Sequence, residues 1–320
     1  MVSVDLKVGF TCNNYCIHCV NWDKQKVGSL SLDEIKKEID YYVNECSEKV
    51  DRIILTGGEI TIRSDVVEIV QYCKDSGIPE IHFQTNARKL SDEELVKKLV
   101  DAGLTNTLIA IHGHNVELHD SISRKEGSFE QTIKAMENLA KHGVVLATNT
   151  VISLKNLKLL PEIISFLVNK FPELKNLHIS FPHPLGNAYD NFFEVVPEFR
   201  DAYKPILRAI DVGVKAGRRI DVESLPFCYM DNYEKYNSDY RHFRVNKTIG
   251  TDKAAPNGRI DDYGVSNLEE KRKSNECKFC SLDPICNGVW MQYAEKYGLM
   301  DLIPVYNKNA REVARECERY

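Results

Sequence analysis

Between residues 4 and about 183 the chain alternates short apolar runs with longer stretches whose apolar positions recur every three or four residues. The short runs fall at 4–10, 52–55, 80–84, 107–111, 146–152 and 177–181, and their length and composition predict strands. The stretches between them predict helices. In the first, Ile35, Ile39, Tyr42 and Val43 form one buried stripe, and Ser31-x-x-Glu34, Ser91-x-x-Glu94 and Ser128-x-x-Gln131 read as capping boxes. Six strands joined by crossover helices predict a parallel sheet with right-handed connections. Such a sheet curls, so the fold class is α/β, a partial (β/α)6 barrel whose ligands would bind at the C-terminal strand ends.

After Pro197 the pattern changes. A helix is predicted over about 198–216 and a short strand over 219–222, followed by a polar stretch from 229 to 276 with little periodicity. The chain closes with grouped cysteines and two helix-like segments. This predicts a core over residues 1–217 and a smaller lobe over 218–320.

Composition narrows the chemistry. The chain has 320 residues, 43% hydrophobic and 28% charged, as ordinary soluble domains do. No apolar run reaches the roughly 18 residues of a membrane span, and no export signal opens the sequence. The net charge of -5 argues against non-specific nucleic-acid binding. Ten cysteines without an export signal favour a reducing, cytoplasmic setting in which thiols bind metal.

Three of them form Cys12-x3-Cys16-x2-Cys19 directly after the first predicted strand. Three close thiolates can hold three irons of a 4Fe-4S cluster and leave the fourth open to a small molecule. The alternative is a zinc knuckle with His18 as fourth ligand, although adjacent His18 and Cys19 converge poorly on one ion. The spacing resembles the signature of the radical SAM enzymes. The resemblance implies that the open iron binds S-adenosylmethionine, that the cluster donates one electron, and that a 5'-deoxyadenosyl radical abstracts a substrate hydrogen.

Thr56-Gly57-Gly58-Glu59 follows the second strand, where paired glycines allow close approach to the backbone. Behind the cysteine motif it resembles the family segment that contacts the methionine amino group. By the same resemblance Thr85, Asn86 and Asn149, at or near strand ends, hold the ribose and methionine carboxylate, and His18 lies near the adenine. His112, His114 and His119 cluster after the fourth strand, and His112 is the candidate to face substrate.

A second group comprises Cys228 with Cys277-x2-Cys280-x5-Cys286. One plus three thiolates suit a fully ligated cluster, with a zinc ribbon as the alternative. The arrangement resembles the SPASM and twitch extensions of radical SAM enzymes, which implies a small C-terminal lobe with a second, auxiliary 4Fe-4S cluster. The full SPASM pattern has another cysteine four residues after Cys286. Here Trp290 stands there, which points to one auxiliary cluster and the shorter lobe.

Cys317 is the alternative fourth ligand, while Cys46 and Cys73 read as core residues. If a thiol quenches a substrate radical, as epimerisation requires, these three are the spare candidates, Cys317 among them as a catalytic group. The resemblance implies a radical SAM oxidoreductase or maturase that modifies a peptide by cross-linking, epimerisation or oxidation. The signature begins at Cys12, which leaves no leader-recognition domain before it and keeps a small metabolite (sugar, aminocyclitol or nucleotide) as the second substrate class. An electron donor such as flavodoxin or ferredoxin is the expected partner.

Overall fold

The computed structural model describes residues 2–46, 49–255 and 258–320. Seven strands, β1 (Val2–Gly9), β2 (Val50–Gly57), β3 (Glu80–Thr85), β4 (Asn106–Ala110), β5 (Val145–Val151), β6 (Asn176–Ser180) and β7 (Arg219–Glu223), pair in parallel in chain order. Helices α1 (Leu32–Asp40), α2 (Val66–Asp75), α3 (Glu93–Ala102), α4 (Val116–Ser123), α5 (Ser128–Lys141) and α6 (Leu160–Lys170) lie in the crossovers. Two short turns, α7 (Asn187–Asp190) and α8 (Phe192–Val195), precede the long helix α9 (Phe199–Lys215).

Strand alternation sorts the residues by face. Val4, Leu6, Ile53, Leu55, Ile81 and Phe83 are buried. Intervening positions such as Arg52, His82, Gln84, Asn106, Asn149 and Asn176 line a cavity of about 580 Å³. The inner face is therefore a polar chamber, unlike the apolar layers that fill a closed barrel.

The six predicted strands and the run at 219–222 all form. The polar stretch also forms regular elements, among them α10 (Ser238–Arg244), β8 (Lys247–Thr251) and β9 (Arg259–Ile260). β8 pairs in parallel with β1, and β9 with β8 in antiparallel. The resulting nine-stranded sheet ends at β7 and β9 and does not close, as a partial barrel requires. It runs across the 217/218 division expected from sequence, because β1 exposes a free edge that β8 covers. The remaining elements are α11 (Tyr263–Glu269), the two-stranded pair β10 (Lys271–Arg272) and β11 (Val289–Trp290), α12 (Met291–Tyr297) and α13 (Ala310–Arg319).

Ser31 and Glu34 form the reciprocal capping box expected for α1. The other two boxes do not form. Asp92, not Ser91, caps α3 by accepting from Glu94 N at 3.0 Å. Ser128 is already helical, and the Asp120 carboxylate from α4 caps α5 by accepting from Gly127 N, Ser128 Oγ and Phe129 N at 2.7, 2.7 and 2.8 Å. A carboxylate is the stronger acceptor for the orphan amides of a helix start, so it displaces the hydroxyl.

Candidate active site and cysteine centres

The cysteine loop after β1 is held by backbone from most of the neighbouring strand ends. Gly58 N donates to Gly9 O at 2.7 Å and Glu59 N to Thr11 O at 2.8 Å. Tyr15 N and Ile17 N donate to Ser123 O and Ile122 O at the end of α4, both at 2.9 Å. Beyond β6, Asn187 reaches Cys16 O through Nδ2 at 2.9 Å and Cys19 O through its amide at 3.0 Å. Arg88 Nη1, past β3, donates to Asn13 O at 2.6 Å and to Asn14 Oδ1 at 3.0 Å. Such bonds fix the loop before any ligand arrives.

The glycines serve this closure. A Cβ on Gly57 would lie 2.2 Å from Gly9 O, and one on Gly58 2.2 Å from Thr11 O. What approaches these glycines is the cysteine loop itself. Gly186, with φ 51°, would set a Cβ 2.6 Å from Cys19 O, so a third glycine closes the opposite side.

Cys12, Cys16 and Cys19 open onto one cavity of about 400 Å³ that is also lined by His18, Gly57, Gly58, Glu59, Thr85, Asn86, His112 and Asn149. The structure thus brings together the three cysteines and the core residues proposed to bind the cofactor, together with His112, whereas His114, His119, Cys46 and Cys73 do not line the cavity. It revises what Glu59 does. The buried carboxylate accepts from Thr61 N (3.0 Å), Thr61 Oγ1 (2.5 Å) and Thr85 Oγ1 (2.6 Å) on one oxygen, and from Asn86 N (2.7 Å) on the other. It ties the end of β2 to the end of β3. Asn86 Nδ2 in turn donates to Asn13 Oδ1 at 2.7 Å and reaches Cys12 Sγ at 3.7 Å.

The three imidazoles pack as a column. His18 meets His112 edge-on at 4.5 Å, and His112 stacks on His119 at 5.8 Å. His119 Nδ1 accepts from His112 N at 3.1 Å, and His112 Nδ1 accepts from Val151 N at 3.3 Å. Burial lowers the pKa of His18 and of His119 to about 4 and that of His112 well below the usual value. All three are neutral near pH 7. Cys16, His18 and His112 each bring one ligand atom within 4.8 Å of the others.

The donor set fits an iron-sulfur cluster. Burial raises the Cys12 thiol to about 11 and raises Cys16 and Cys19 as well, with Cys19 and Cys12 adding to the rise at Cys16. Crowded buried thiols become thiolates only against a cation, which cluster irons provide. Asn14 N, at 3.4 Å from Cys12 Sγ, is placed to donate to that sulfur.

Cys228, Cys277, Cys280 and Cys286 converge on a second, small pocket walled by Phe227, Leu282, Leu302 and Ile303. Val305 N lies 3.2 Å from Cys280 Sγ and Gly288 N 3.4 Å from Cys286 Sγ. Burial first, and Cys286 second, pushes Cys228 up to about 12. Cys317 lies elsewhere: buried in α13, its thiol donates to Glu234 O at 3.2 Å, and it lines neither pocket. Cys73 is fully buried in α2 and Cys46 is half-buried, packed against the core.

Trp290 lines the active cavity and follows Cys286 by four residues. Its ring stacks on His183 at 3.6 Å, and Lys271, its register partner across β10–β11, places Nζ 3.4 Å from the ring centroid. Trp290, His183 and Glu223 line the active cavity, yet sequence reasoning passed over the last two. Their signal was position: both lie at or just beyond the end of a rim strand, as does the Gly186-Asn187 clamp.

The radical SAM superfamily model matches residues 6–167, just over half of the chain. The chain belongs to the radical SAM superfamily. Among curated relatives, it is 33% identical over 199 residues to an AdoMet-dependent heme synthase of Methanosarcina barkeri, covering 62% of this chain and 54% of that protein. It is 30% identical over 151 residues to a mycofactocin maturase of Mycolicibacterium smegmatis, covering 45% and 35%. The chain thus spans about half or less of these relatives. The solved structure of anSMEcpe with bound AdoMet superposes with a TM-score of 0.66 at 15% identity, over 100% of this chain and 97% of that one, which shows the shared fold. Membership of this superfamily implies a 4Fe-4S cluster and S-adenosylmethionine as cofactors. No helix among the described residues is long and apolar enough to cross a membrane.

Proposed function

We propose that this radical SAM enzyme modifies a peptide, by cross-linking, epimerisation or oxidation, with an auxiliary cluster beside the active cavity. The observation that carries the reading is the convergence of Cys228, Cys277, Cys280 and Cys286 on one pocket, a fully ligating set that leaves no open iron. Relatedness to a mycofactocin maturase supports the substrate class.

Cys12, Cys16 and Cys19 hold the first cluster, and when bound it supplies, with S-adenosylmethionine, the radical that takes a substrate hydrogen. The chain's own residues do the rest. Asn13, Asn86 and Arg88 keep the cysteine loop in register. Glu59 orders the rim at Thr85 and Asn86, where the cofactor's polar groups would bind beside Asn149. His18 and His112 offer neutral faces that suit an adenine. The closed loop backbone fixes where the three thiols open onto the cavity.

Trp290 and His183 stack on the wall of the active cavity, and Trp290 follows Cys286 of the second set by four residues. Cys228, Cys277, Cys280 and Cys286 would hold a fully ligated cluster, which would supply electron-accepting chemistry and so favours oxidative outcomes. A flavodoxin or ferredoxin would deliver the reducing electron to the first centre. A second reading, chemistry on a small metabolite, is favoured by the 33% identity to a heme synthase.

The test is to incubate reduced enzyme and S-adenosylmethionine with a peptide pool and with a metabolite pool from a bacterial lysate, and to follow mass changes. A loss of 2 Da, or deuterium incorporation from D2O, confined to peptides supports the first reading. Changes confined to metabolites replace it with the second.

A further inference from the structure

Glu223, at the C-terminal end of β7, lines both the 400 Å³ active cavity and the 580 Å³ inner chamber and so stands where the two meet. Ser180 Oγ lies 3.0 Å from its Oε2 and 2.9 Å from Asn149 Oδ1, linking three adjacent strand ends. Among the described residues Glu223 forms no ion pair. The buried Lys271 ammonium of the same region lies 3.8 Å from Asp239 Oδ2 and 3.3 Å from Ser224 Oγ, and Asp239, Glu223 and Glu270 share its one positive charge. Burial lowers the pKa of His183 on this wall, so it is neutral near pH 7 and brings no counter-charge. A carboxylate without an ion-pair partner of its own carries a desolvation cost that a charged ligand offsets.

A second feature of the same wall calls for the opposite group. Trp290 is 4% exposed, and its Nε1–H has no acceptor among the described residues. His183 covers one face of the indole and Lys271 lies over the ring, which fixes the indole on the cavity wall. A buried N–H without an acceptor is uncommon in a folded protein and marks a place where a ligand oxygen fits.

We infer that the substrate presents an aliphatic ammonium to Glu223 with a neighbouring oxygen acceptor for Trp290. The assignment rests on the cavity being the substrate site of a radical SAM enzyme. Two sources offer this chemistry: a lysine residue of a peptide, whose carbonyls supply the oxygen, and an amino sugar or aminocyclitol, whose hydroxyls do. Ser180 Oγ lies against the carboxylate, and the chamber behind, where Gln84 and Asn106 stand among Arg52, Lys175 and His178, takes the remainder.

The test uses the reconstituted enzyme saturated with S-adenosylmethionine and two probe pairs: glucosamine against glucose, and N-acetyl-lysine methylamide against N-acetyl-norleucine methylamide. Binding is read by calorimetry or saturation-transfer NMR. In at least one pair the ammonium member binds about tenfold or more tightly than its neutral analogue, the scale of one charge-assisted contact. The pair that shows it names the source. Glu223→Gln brings the ratio to within about twofold of unity, whereas Glu223→Asp retains part of it; melting curves verify that both variants are folded. No preference in either pair, or a preference unchanged in Glu223→Gln, overturns the assignment. Formation of 5'-deoxyadenosine by the wild type is measured separately. Its absence alongside an intact, Glu223-dependent preference would sink the radical reading and leave this one standing.

Discussion

Glu59→Gln separates a strut from a ligand contact. The carboxylate accepts four hydrogen bonds in a buried setting, three on Oε1 and one on Oε2. Glutamine keeps one carbonyl oxygen, so its NH2 must face a donor whichever way it turns. On the Oε2 side it meets Asn86 N–H, and on the Oε1 side Thr61 N–H. One buried amide is therefore left unpaired, at about 1–3 kcal/mol, and the remaining bonds lose their charge-assisted part, for a total of about 3 kcal/mol. At about 2 °C per kcal/mol for a large domain, melting falls by roughly 6 °C. The assay is thermal unfolding of the metal-free, cofactor-free protein with its thiols reduced. A residue that only contacts S-adenosylmethionine would leave that melting point unchanged and weaken cofactor binding alone, and such a result would refute the strut.

Gly58→Ala puts a Cβ against Thr11 O and strains the two loop bonds beside it, so iron at the Cys12/Cys16/Cys19 site should fall by half or more on reconstitution, read by iron analysis of a variant lacking the C-terminal cysteines. Asp120→Ala removes the cap of α5 and should cost about 2–3 kcal/mol in urea unfolding; Asp120→Asn, which keeps an acceptor, should recover much of it. Burial lowers the pKa of His119 to about 4 in the fold from an ordinary 6.5, so its neutral form is favoured. Its contribution is complete above pH 6.5 and is lost as pH falls toward 4. At pH 4.5 this removes roughly 2–3 kcal/mol, which His119→Asn should flatten in melting curves taken from pH 7 to 4.5.

The core was legible because its signals are local. Alternation at β1 and β3 and the spacing of Cys12, Cys16 and Cys19 need no knowledge of distant residues. β8 was not, since Lys247–Thr251 sits in a polar stretch and becomes a strand through pairing with β1. The caps of α3 and α5 failed for a related reason: Ser91 and Ser128 carry the pattern, but carboxylates at Asp92 and Asp120 reach the helix starts. Glu59 shows a further limit. Its motif pointed to the right place, whereas the direction of its carboxylate follows from Thr61, Thr85 and Asn86 meeting it across two strand ends. Trp290 drew notice as a missing cysteine, and its place beside the active cavity follows from β10 pairing with β11.

The central claim is a two-centre radical enzyme, and anaerobic reconstitution tests it most directly. Iron and sulfide per chain are measured, then 5'-deoxyadenosine from S-adenosylmethionine with dithionite, in the wild type, in Cys12/Cys16/Cys19→Ala and in that variant with Cys228→Ala added. The account predicts about eight irons and cofactor cleavage in the wild type, about four irons without cleavage in the triple variant, and fewer again once Cys228 is lost. Zinc in place of iron, cleavage that survives loss of the three core cysteines, or iron in the triple variant indifferent to Cys228 would contradict it.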